Sequence, residues 1–342
     1  MRQLQWSPEL ELPKVPRVVA LGAFDGVHLG HAQTIQAMRS LAHQDRVEAA
    51  ILTFDPSPRE FQNGVRQPGR RLTTRDEQFF YLRRLGVDLV IVFEFPGEIH
   101  TVEPEDFIRD VLVGQVNAIE VTASETHRFG HKGRGDVEML RRFGSELGFG
   151  VEILRPLLLG GERVSSTRIR NLLDAGEVTE AGALLGRPYA IYAPVVSGRG
   201  VGSELGFPTA NLSIAPEKIL PHDGVYAGLA GAVREGDFSA IEQPRAAAIN
   251  VGVAPTVREG ERIVEVHLVG EQCDLRGAAL KVEFLRWLRE EQRFDSLYAL
   301  RQQIRADVEQ VRETAEEPPA EAFSEFDRVC ATDYVVRRPG WE

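Results

Sequence analysis

The chain has two textures, and the change between them constrains its fold more than any composition value. In the first half, short β-branched runs alternate with amphipathic stretches. Arg17–Leu21, Glu48–Phe54, Leu89–Phe93 and Ala118–Thr122 read as strands. Between and after them, His31–His43, Arg75–Leu85, Pro104–Val113 and Asp136–Leu147 carry apolar residues at three-and-four spacing, the mark of a helix with one buried face. Alternation of this kind predicts parallel βαβ units, that is, a parallel sheet covered by helices. After Gly186-Arg187-Pro188 the pattern changes to strand-sized runs separated by Gly, Pro and Asp turns, from Tyr189 through Val269. Short strands so punctuated predict an antiparallel barrel or sandwich. A last helical pattern, about Ser296 to Arg312, sets Leu297, Leu300, Ile304 and Val308 on one face. The expected organisation is an N-terminal domain over residues 1–186, a second domain over 187–313, and a tail over 314–342. Acidic and Pro-containing, that tail is expected to be extended or weakly ordered.

A chain of 342 residues exceeds one ordinary core, which agrees with two domains. With 43% hydrophobic and 27% charged residues there is apolar material for compact cores. The formal net charge of −11 argues against a nucleic-acid footprint, which needs a basic stripe to neutralise phosphates. A small anionic substrate is still allowed, because a few local donors can hold one. Two cysteines, Cys273 and Cys330, cannot build a secreted-type disulfide framework. The opening MRQLQWSPELELPKVPR lacks the apolar core of a signal peptide and the length of a membrane span. A reducing cytoplasm without a membrane partner is the expected setting.

The first chemistry-bearing segment is Val18-Val19-Ala20-Leu21-Gly22-Ala23-Phe24-Asp25-Gly26-Val27-His28-Leu29-Gly30-His31, a strand that passes through a glycine-punctuated turn into a helix. Such a turn sets backbone donors and a helix N-terminus at the carboxyl end of a strand, where open α/β sheets bind ligands. His28 and His31 are three apart and share a face of the first helical turn. There they can donate to a triphosphate and stabilise charge building on an α-phosphate and its leaving pyrophosphate. A lone histidine is more often a cap or a packed core residue. Two of them framed by Gly22, Gly26 and Gly30 reverse that balance. No GxxxxGK[ST] exists, so the phosphate site is not of the Walker type. A second segment, Val164-Ser165-Ser166-Thr167-Arg168, offers three hydroxyls at a helix start and a fixed cation.

In the second half, Gly198-Arg199-Gly200-Val201-Gly202-Ser203-Glu204-Leu205-Gly206-Phe207-Pro208-Thr209-Ala210-Asn211 is the most specific stretch. Glycines at 198, 200, 202 and 206 let backbone amides approach phosphates, and Pro208 stiffens the exit. Thr209 and Asn211, two apart on an extended segment, point the same way and offer hard oxygen donors that suit Mg²⁺ held with nucleotide phosphates. Along Ile263-Val264-Glu265-Val266-His267-Leu268, Glu265 is out of phase with Val264 and Val266. A strand carboxylate is usually a solvated face. If this one looks into a barrel mouth it can act as general base toward a hydroxyl, with His267 on the same face in support.

The HxGH element resembles the hallmark of the nucleotidylyltransferase superfamily, and Ser165–Arg168 resembles that superfamily's second phosphate-binding motif. Further sets follow in order: FDPSPRE, RRLTTRDEQ, RFGHKGRG and VSSTRIRNLL, then LGFPTANL, PHDGVYA, INVGVAPT, IVEVHL and LREEQRFDSLYALRQQIRAD. Together they resemble the prokaryotic bifunctional riboflavin kinase/FAD synthetase family over roughly residues 15 to 312. The resemblance implies a Rossmann-like parallel-sheet adenylyltransferase domain followed by a riboflavin kinase β-barrel with a C-terminal helix. It implies phosphorylation of riboflavin to FMN in the barrel and transfer of AMP from ATP to FMN, giving FAD, in the first domain, with Mg²⁺ in both. Carried over, His28, His31, Ser165, Ser166, Thr167 and Arg168 contact ATP phosphates, and Phe24, Asp25 and Gly26 shape the nucleotide pocket. Thr209 and Asn211 organise Mg²⁺ and the γ-phosphate, Glu265 deprotonates the ribityl hydroxyl, and Ser57, Thr126 and Phe129 border the flavin.

This chain departs from the family pattern mainly in the adenylylating half. Ser57 stands where the family has His in FDPHPRE. Before Arg128, Ser124, Thr126 and His127 stand in place of glycine, of Asp or Asn, and of Phe. The glycine loop carries Val201, Ser203 and Glu204 where basic residues are usual, with Arg199 the nearby cation. Beside the bifunctional enzyme, two other readings stand: a riboflavin kinase whose first domain no longer adenylylates, and a flavin- or nucleotide-binding regulator without turnover.

Overall fold

Every residue of the run Arg17–Leu21 is buried, and this two-sided burial organises the first half of the molecule. The computed structural model describes residues 1–57, 60–62, 65–66, 69–197, 202, 205–234, 238, 241, 243–253, 262–270, 275, 277–317, 323 and 325–331. The chain divides into two compact units. One comprises Met1–Gln67, Arg75–Val164 and Phe326–Glu342, the other Pro68–Thr74 and Ser165–Glu325.

In the first unit, strands β1 (Arg2–Gln5), β2 (Arg17–Leu21) and β3 (Glu48–Phe54) are followed by a short ribbon of β4 (Phe61–Gln62) and β5 (Val65–Arg66). Then come β6 (Leu89–Phe93), β7 (Ala118–Ser124), β8 (Gly150–Leu154) and a second ribbon of β9 (Leu158–Leu159) and β10 (Glu162–Arg163). The main sheet has the order β1-β6-β3-β2-β7-β8, every neighbouring pair parallel. Helices α1 (Leu29–Asp45), α2 (Arg75–Arg84), α3 (Pro104–Asp106), which runs on as a π-helix Phe107–Gln115, and α4 (Val137–Leu147) connect the strands.

Successive strand residues point to opposite faces, so a strand covered on both sides must be apolar throughout. Val18, Ala20, Ala49, Ile51, Val90 and Val92 pack with Ile35, Met38, Phe79 and Leu82 of α1 and α2. Val19, Leu21, Ala50, Leu52, Leu89 and Ile91 pack with Phe107, Val111, Leu140 and Phe143 of the π-helix and α4. The chain leaves β2 for β3 and β6 on one side and returns to β7 on the other. The carboxyl ends of β2 and β7 therefore flank the crevice in which such sheets bind ligands.

The second unit begins with α5 (Ser166–Asp174) and α6 (Val178–Leu185). Strands β11 (Tyr189–Val196), β12 (Ala210–Leu212), β13 (Gly224–Val233), β14 (Arg245–Val253), β15 (Arg262–Leu268) and β16 (Ala279–Arg289) form a closed barrel, β11-β12-β15-β14-β13-β16. Closure decides between barrel and sandwich. It depends on β16, beyond the last strand expected from the sequence, which pairs with both β11 and β13.

Helix α7 (Leu297–Glu316) packs across β13, β14 and β16. Leu297, expected on its buried face, is 68% exposed, and burial falls instead on Asp307, Val308, Val311 and Thr314. The reason is a polar anchor. Arg289 at the end of β16 donates from Nε and Nη2 to the buried Asp307 carboxylate at 2.7–3.2 Å, and Gln303 Nε2 adds a third donor at 2.9 Å. A carboxylate so satisfied can sit in a buried stripe.

The tail corrects an expectation. Rather than extended or weakly ordered throughout, it forms helix α8 (Glu325–Ala331), which belongs to the first unit. Phe326 is 1% exposed and meets Tyr81 of α2 edge-on at 5.4 Å, Asp327 pairs with Arg84 at 3.0 Å, and Val329 and Cys330 flank the same cluster. Acidic average composition concealed these apolar residues at helical spacing. Truncating a buried Phe to Ala costs about 3–5 kcal/mol. Phe326→Ala is accordingly expected to lower the denaturant midpoint of the first unit by that equivalent, and an unchanged midpoint would show that α8 is not docked there in solution.

Candidate active sites

The turn from β2 to α1 is tight and irregular. Phe24, Gly26 and Val27 all have positive φ, 52°, 84° and 39°, a region costly for Phe and more so for a β-branched Val. Two donors hold it: Thr53 Oγ1 and Gln78 Nε2 both donate to the Ala23 carbonyl, at 3.0 and 2.7 Å. Phe24 and Asp25 are buried within it. His28 is the N-cap of α1, and its Nδ1 accepts from the His31 backbone N–H at 3.2 Å. A neutral His28 therefore carries its proton on Nε2. The imidazoles of His28 and His31 are stacked, centroids 3.6 Å apart and 11° from parallel, with Phe24 5.2 Å from His31. Gly30 lies against the stack: a Cβ there would stand 3.3 Å from His28 Cε1, a tight contact to which the ring would have to give, and 3.6 Å from the Val164 carbonyl oxygen.

Beside this turn, within the same unit, lies a cavity of about 460 Å³. Its walls are Leu21 and Gly22 at the end of β2, Phe54 and Phe93 at the ends of β3 and β6, Phe95, Phe107 and the loop His127–Gly133. Size and aromatic walls suit a flat heteroaromatic ligand. Phe129 is among the lining residues, whereas Ser57 and Thr126 are not. Ser57 is buried in a local turn, its N–H donating to Glu60 Oε1 at 2.8 Å, and Thr126 lies 3.5 Å from the Ser124 hydroxyl.

His127 stacks over Phe129, centroids 6.1 Å apart and 14° from parallel. Desolvation among these rings pushes its pKa down to about 4, so it is neutral near pH 7. At the cavity rim, Arg128 pairs with Asp136 and His131 with Glu103, while Lys132 makes no ion pair among the described residues. Asp136 lies below the ordinary carboxylate range, chiefly because the Met139 N–H at the start of α4 donates to it and then because of Arg128.

Helix α5 opens with Ser165 as N-cap, its Oγ accepting from the Arg168 N–H at 3.2 Å. Ser166 is buried and Thr167 exposed.

In the barrel, Gly198 and Gly200 lie outside the described residues. Gly202 is described: its carbonyl accepts from Leu205 and Phe207 N–H at 3.2 and 2.8 Å, and a Cβ there would collide with the Phe207 carbonyl. Gly206 has φ of 86°. Loop and strand are joined by His267, whose Nδ1 donates to the Pro208 carbonyl at 2.8 Å. That bond accounts for His267 as a support.

Cα pairing sets Asn211 of β12 opposite Glu265 of β15, and Glu265 opposite Asn250 of β14. These three residues form a polar row across adjacent strands. Their neighbours Ala210, Leu212, Ile249, Val251, Val264 and Val266 are buried, so the row lies on the side of the wall away from the packed interior. The condition that Glu265 look into a barrel mouth is replaced by this outer-face position. Asn250 was not singled out in the sequence, although INVGVAPT was. Phe129 of the cavity is named in the sequence reading, whereas Phe54, Phe93, Phe95 and Phe107 are not, because aromatic residues near strand ends read as core.

One pH effect follows from His127. A histidine held below its unfolded value near 6.5 leaves stability intact above that pH, weakens the native state as pH falls below about 6.5, and exerts its full penalty below about 4. Replacing it by Phe should raise the unfolding temperature of the first unit relative to the parent at pH 5 but not at pH 8. Parallel curves at both pH values would mean that His127 protonates without cost.

Comparison with known proteins agrees with this division of chemistry. The FAD synthetase family model matches residues 12–168 and the riboflavin kinase model matches residues 185–315. A bifunctional riboflavin kinase/FMN adenylyltransferase of Haemophilus influenzae is 34% identical over 292 residues, 85% of this chain and 92% of that protein. The Escherichia coli protein of the same description is 33% identical over 307 residues, 89% and 94% of the two chains. That of Pseudomonas fluorescens is 36% identical over 299 residues, 87% and 93%. A solved structure from Streptococcus pneumoniae, described as a macrolide-efflux protein, superposes with a TM-score of 0.80 at 27% identity, over 91% of this chain and 98% of that one. No helix among the described residues of the present chain is long and apolar enough to cross a membrane. With both domain models in order and relatives matched over nearly their whole length, the chain belongs to the family of bifunctional riboflavin kinase/FMN adenylyltransferases.

Proposed function

We propose that the C-terminal half phosphorylates riboflavin with ATP to give FMN, and that the N-terminal half joins FMN to the AMP of a second ATP, giving FAD and pyrophosphate. In this reading residues 1–186 serve adenylyl transfer, 187–313 serve the kinase, and 314–342 are a tail. The observation that carries it is the stacked His28–His31 pair at the start of α1, beside an aromatic cavity of flavin size. That cavity also favours a working first domain over a degenerate one, because the altered position 127 keeps a flat, neutral ring on its wall.

In adenylyl transfer a phosphate oxygen of FMN attacks the α-phosphorus of ATP as the bond to pyrophosphate breaks. The attacking phosphate is already ionised, so no base is required. What the site must do is hold two anions in line and stabilise charge on the leaving group. His28 Nε2–H and His31 donate to the triphosphate, with Gly22, Phe24, Asp25, Gly26 and Gly30 shaping the nucleotide side. Ser165, Ser166, Thr167 and Arg168 act as the second phosphate-holding motif. Phe129 and His127 flank the isoalloxazine, and Lys132 offers its cation to the FMN phosphate, with Ser57 and Thr126 as outer contacts.

In the kinase step the terminal ribityl oxygen bonds to the γ-phosphorus, the bond to ADP breaks, and the hydroxyl proton passes to Glu265. Gly206 and Pro208, together with Gly198 and Gly200 outside the described residues, are the glycine-loop residues assigned to the ATP phosphates. Thr209 and Asn211, with Glu265 in register beside Asn211, make a hard-oxygen donor set that fits Mg²⁺. When bound, the ion would neutralise the charge between β- and γ-phosphates. Substrates and products are thus riboflavin, FMN, FAD and ATP. Neither nucleic acid nor membrane is required, and the expected compartment is the cytoplasm.

Chromatographic separation of products from riboflavin, ATP and Mg²⁺, and then from FMN, ATP and Mg²⁺, tests both halves. FAD in both runs is expected. FMN alone would establish a kinase with an inactive first domain, and no flavin product would leave a binding protein. Glu265→Gln should lower FMN formation by roughly 100-fold or more while sparing FAD formation from FMN. His28→Ala should do the converse, and loss of both activities in either variant would show that the two sites are not independent.

A further inference from the structure

The set RRLTTRDEQ ends on Gln78, and the proposed chemistry uses none of its residues. Gln78 is 1% exposed, in a helix whose Phe79 and Leu82 fill the apolar layer shared with α1. An amide buried there is costly unless its polar atoms are satisfied, and an apolar side chain would serve the packing better. Its Nε2 reaches out of α2 to the turn between β2 and α1, donating to the Ala23 carbonyl at 2.7 Å. Thr53 of β3, also 1% exposed, donates from Oγ1 to the same oxygen at 3.0 Å. A carbonyl oxygen has two lone pairs, and these two side chains take both.

That oxygen governs the turn. A peptide unit is planar, so holding the Ala23 carbonyl also holds the Phe24 N–H and the plane from which φ of Phe24 departs. Phe24 has φ of 52°, a value its side chain disfavours. From Phe24 two routes lead to the histidines. Along the backbone, the Phe24 carbonyl accepts from the Val27 N–H at 3.1 Å, and His28 follows as the cap of α1. Through side chains, the Phe24 ring lies 5.2 Å from His31, which is stacked on His28 at 3.6 Å.

We infer that Gln78, together with Thr53, is a positioning residue for the His28–His31 pair in adenylyl transfer. This rests on the reading that those histidines hold the triphosphate. Two donors from separate elements keep the Ala23–Phe24 peptide plane from turning. Relaxation of Phe24 toward negative φ would carry its ring off His31 and move the α1 cap, and in-line transfer is sensitive to displacements of about 1 Å.

The test is steady-state FAD formation from FMN, ATP and Mg²⁺ by the full-length chain, with FMN formation from riboflavin measured on the same preparations. Gln78→Met keeps the length of the side chain and removes its donor. It should lower kcat for FAD about tenfold while KM for FMN changes less than about twofold, because the cavity rings are untouched. Thr53→Val should act in the same direction, and the double variant should lose more than the product of the two, since its carbonyl is left bare. FMN formation should stay parental throughout. Phe326→Ala, which loosens α2 at Tyr81 instead, serves as the control for mere destabilisation and should keep parental kcat well below its unfolding temperature. Parental kcat in both Gln78→Met and Thr53→Val would overturn the assignment, as would an equal loss in Phe326→Ala. Should Gln78→Met fail to fold, Thr53→Val against Phe326→Ala decides. His28→Ala run alongside separates the two levels: parental FAD formation in that variant would remove the reading of the histidines themselves, and this assignment with it.

Discussion

The first unit depends on one constraint: β2 is buried on both faces and must hand the chain to α1 within a few residues. A strand with no solvent face cannot end gradually. The reversal therefore concentrates in Phe24, Gly26 and Val27, whose positive φ values are unfavourable in isolation for Phe24 and Val27. Thr53 from β3 and Gln78 from α2 offset that cost by donating to the same carbonyl, Ala23. The result is a rigid α1 N-terminus at the switch point of the sheet, with His28 as its cap and His31 stacked beneath. Strain, capping and ligand geometry are thus one arrangement, and altering Gln78 or Thr53 would reach the histidines without touching them.

The barrel solves a different problem. Its interior is filled by Val264, Val266, Ile249, Val251 and Leu212, so polar residues occupy the alternate positions of the same strands. Glu265, Asn211 and Asn250 are brought into line by register alone, and a one-residue slip would send them into the core. What pins the register is ordinary packing, together with the Arg289–Asp307 anchor that holds α7 across β13, β14 and β16.

The central strands were legible because two-sided burial demands unbroken apolar runs. The expected spans Arg17–Leu21, Glu48–Phe54 and Leu89–Phe93 coincide with β2, β3 and β6. Edge strands β1 and β8 were not, since RQLQ and GVEIL are partly exposed and carry no such signal. Glycines at 22, 26, 30 and 202 have a physical reason, each sitting where a side chain would meet a neighbour or where φ is positive. Phe54, Phe93, Phe95 and Phe107 of the cavity wall carry no local backbone signature. Their significance arises only from register and from segments distant in sequence, as does that of Phe326 in an otherwise acidic tail.

The electrostatics of the two sites explain how a chain of net charge −11 handles polyanions. Cations near the aromatic cavity are largely matched within the protein, Arg128 by Asp136 and Arg134 by Glu103, which limits non-specific attraction of anions. Under the proposed function, binding comes from directed donors: a helix N-terminus, His28 Nε2–H, and backbone amides of glycine turns. Donors of this kind act over a hydrogen-bond length rather than over a Debye length, so they select shape where a basic patch would select only charge. In the kinase half the same economy appears with opposite sign. Glu265 is flanked in register by two neutral amides, Asn211 and Asn250, and under the proposed function its charge would be met by the metal ion held with the phosphates.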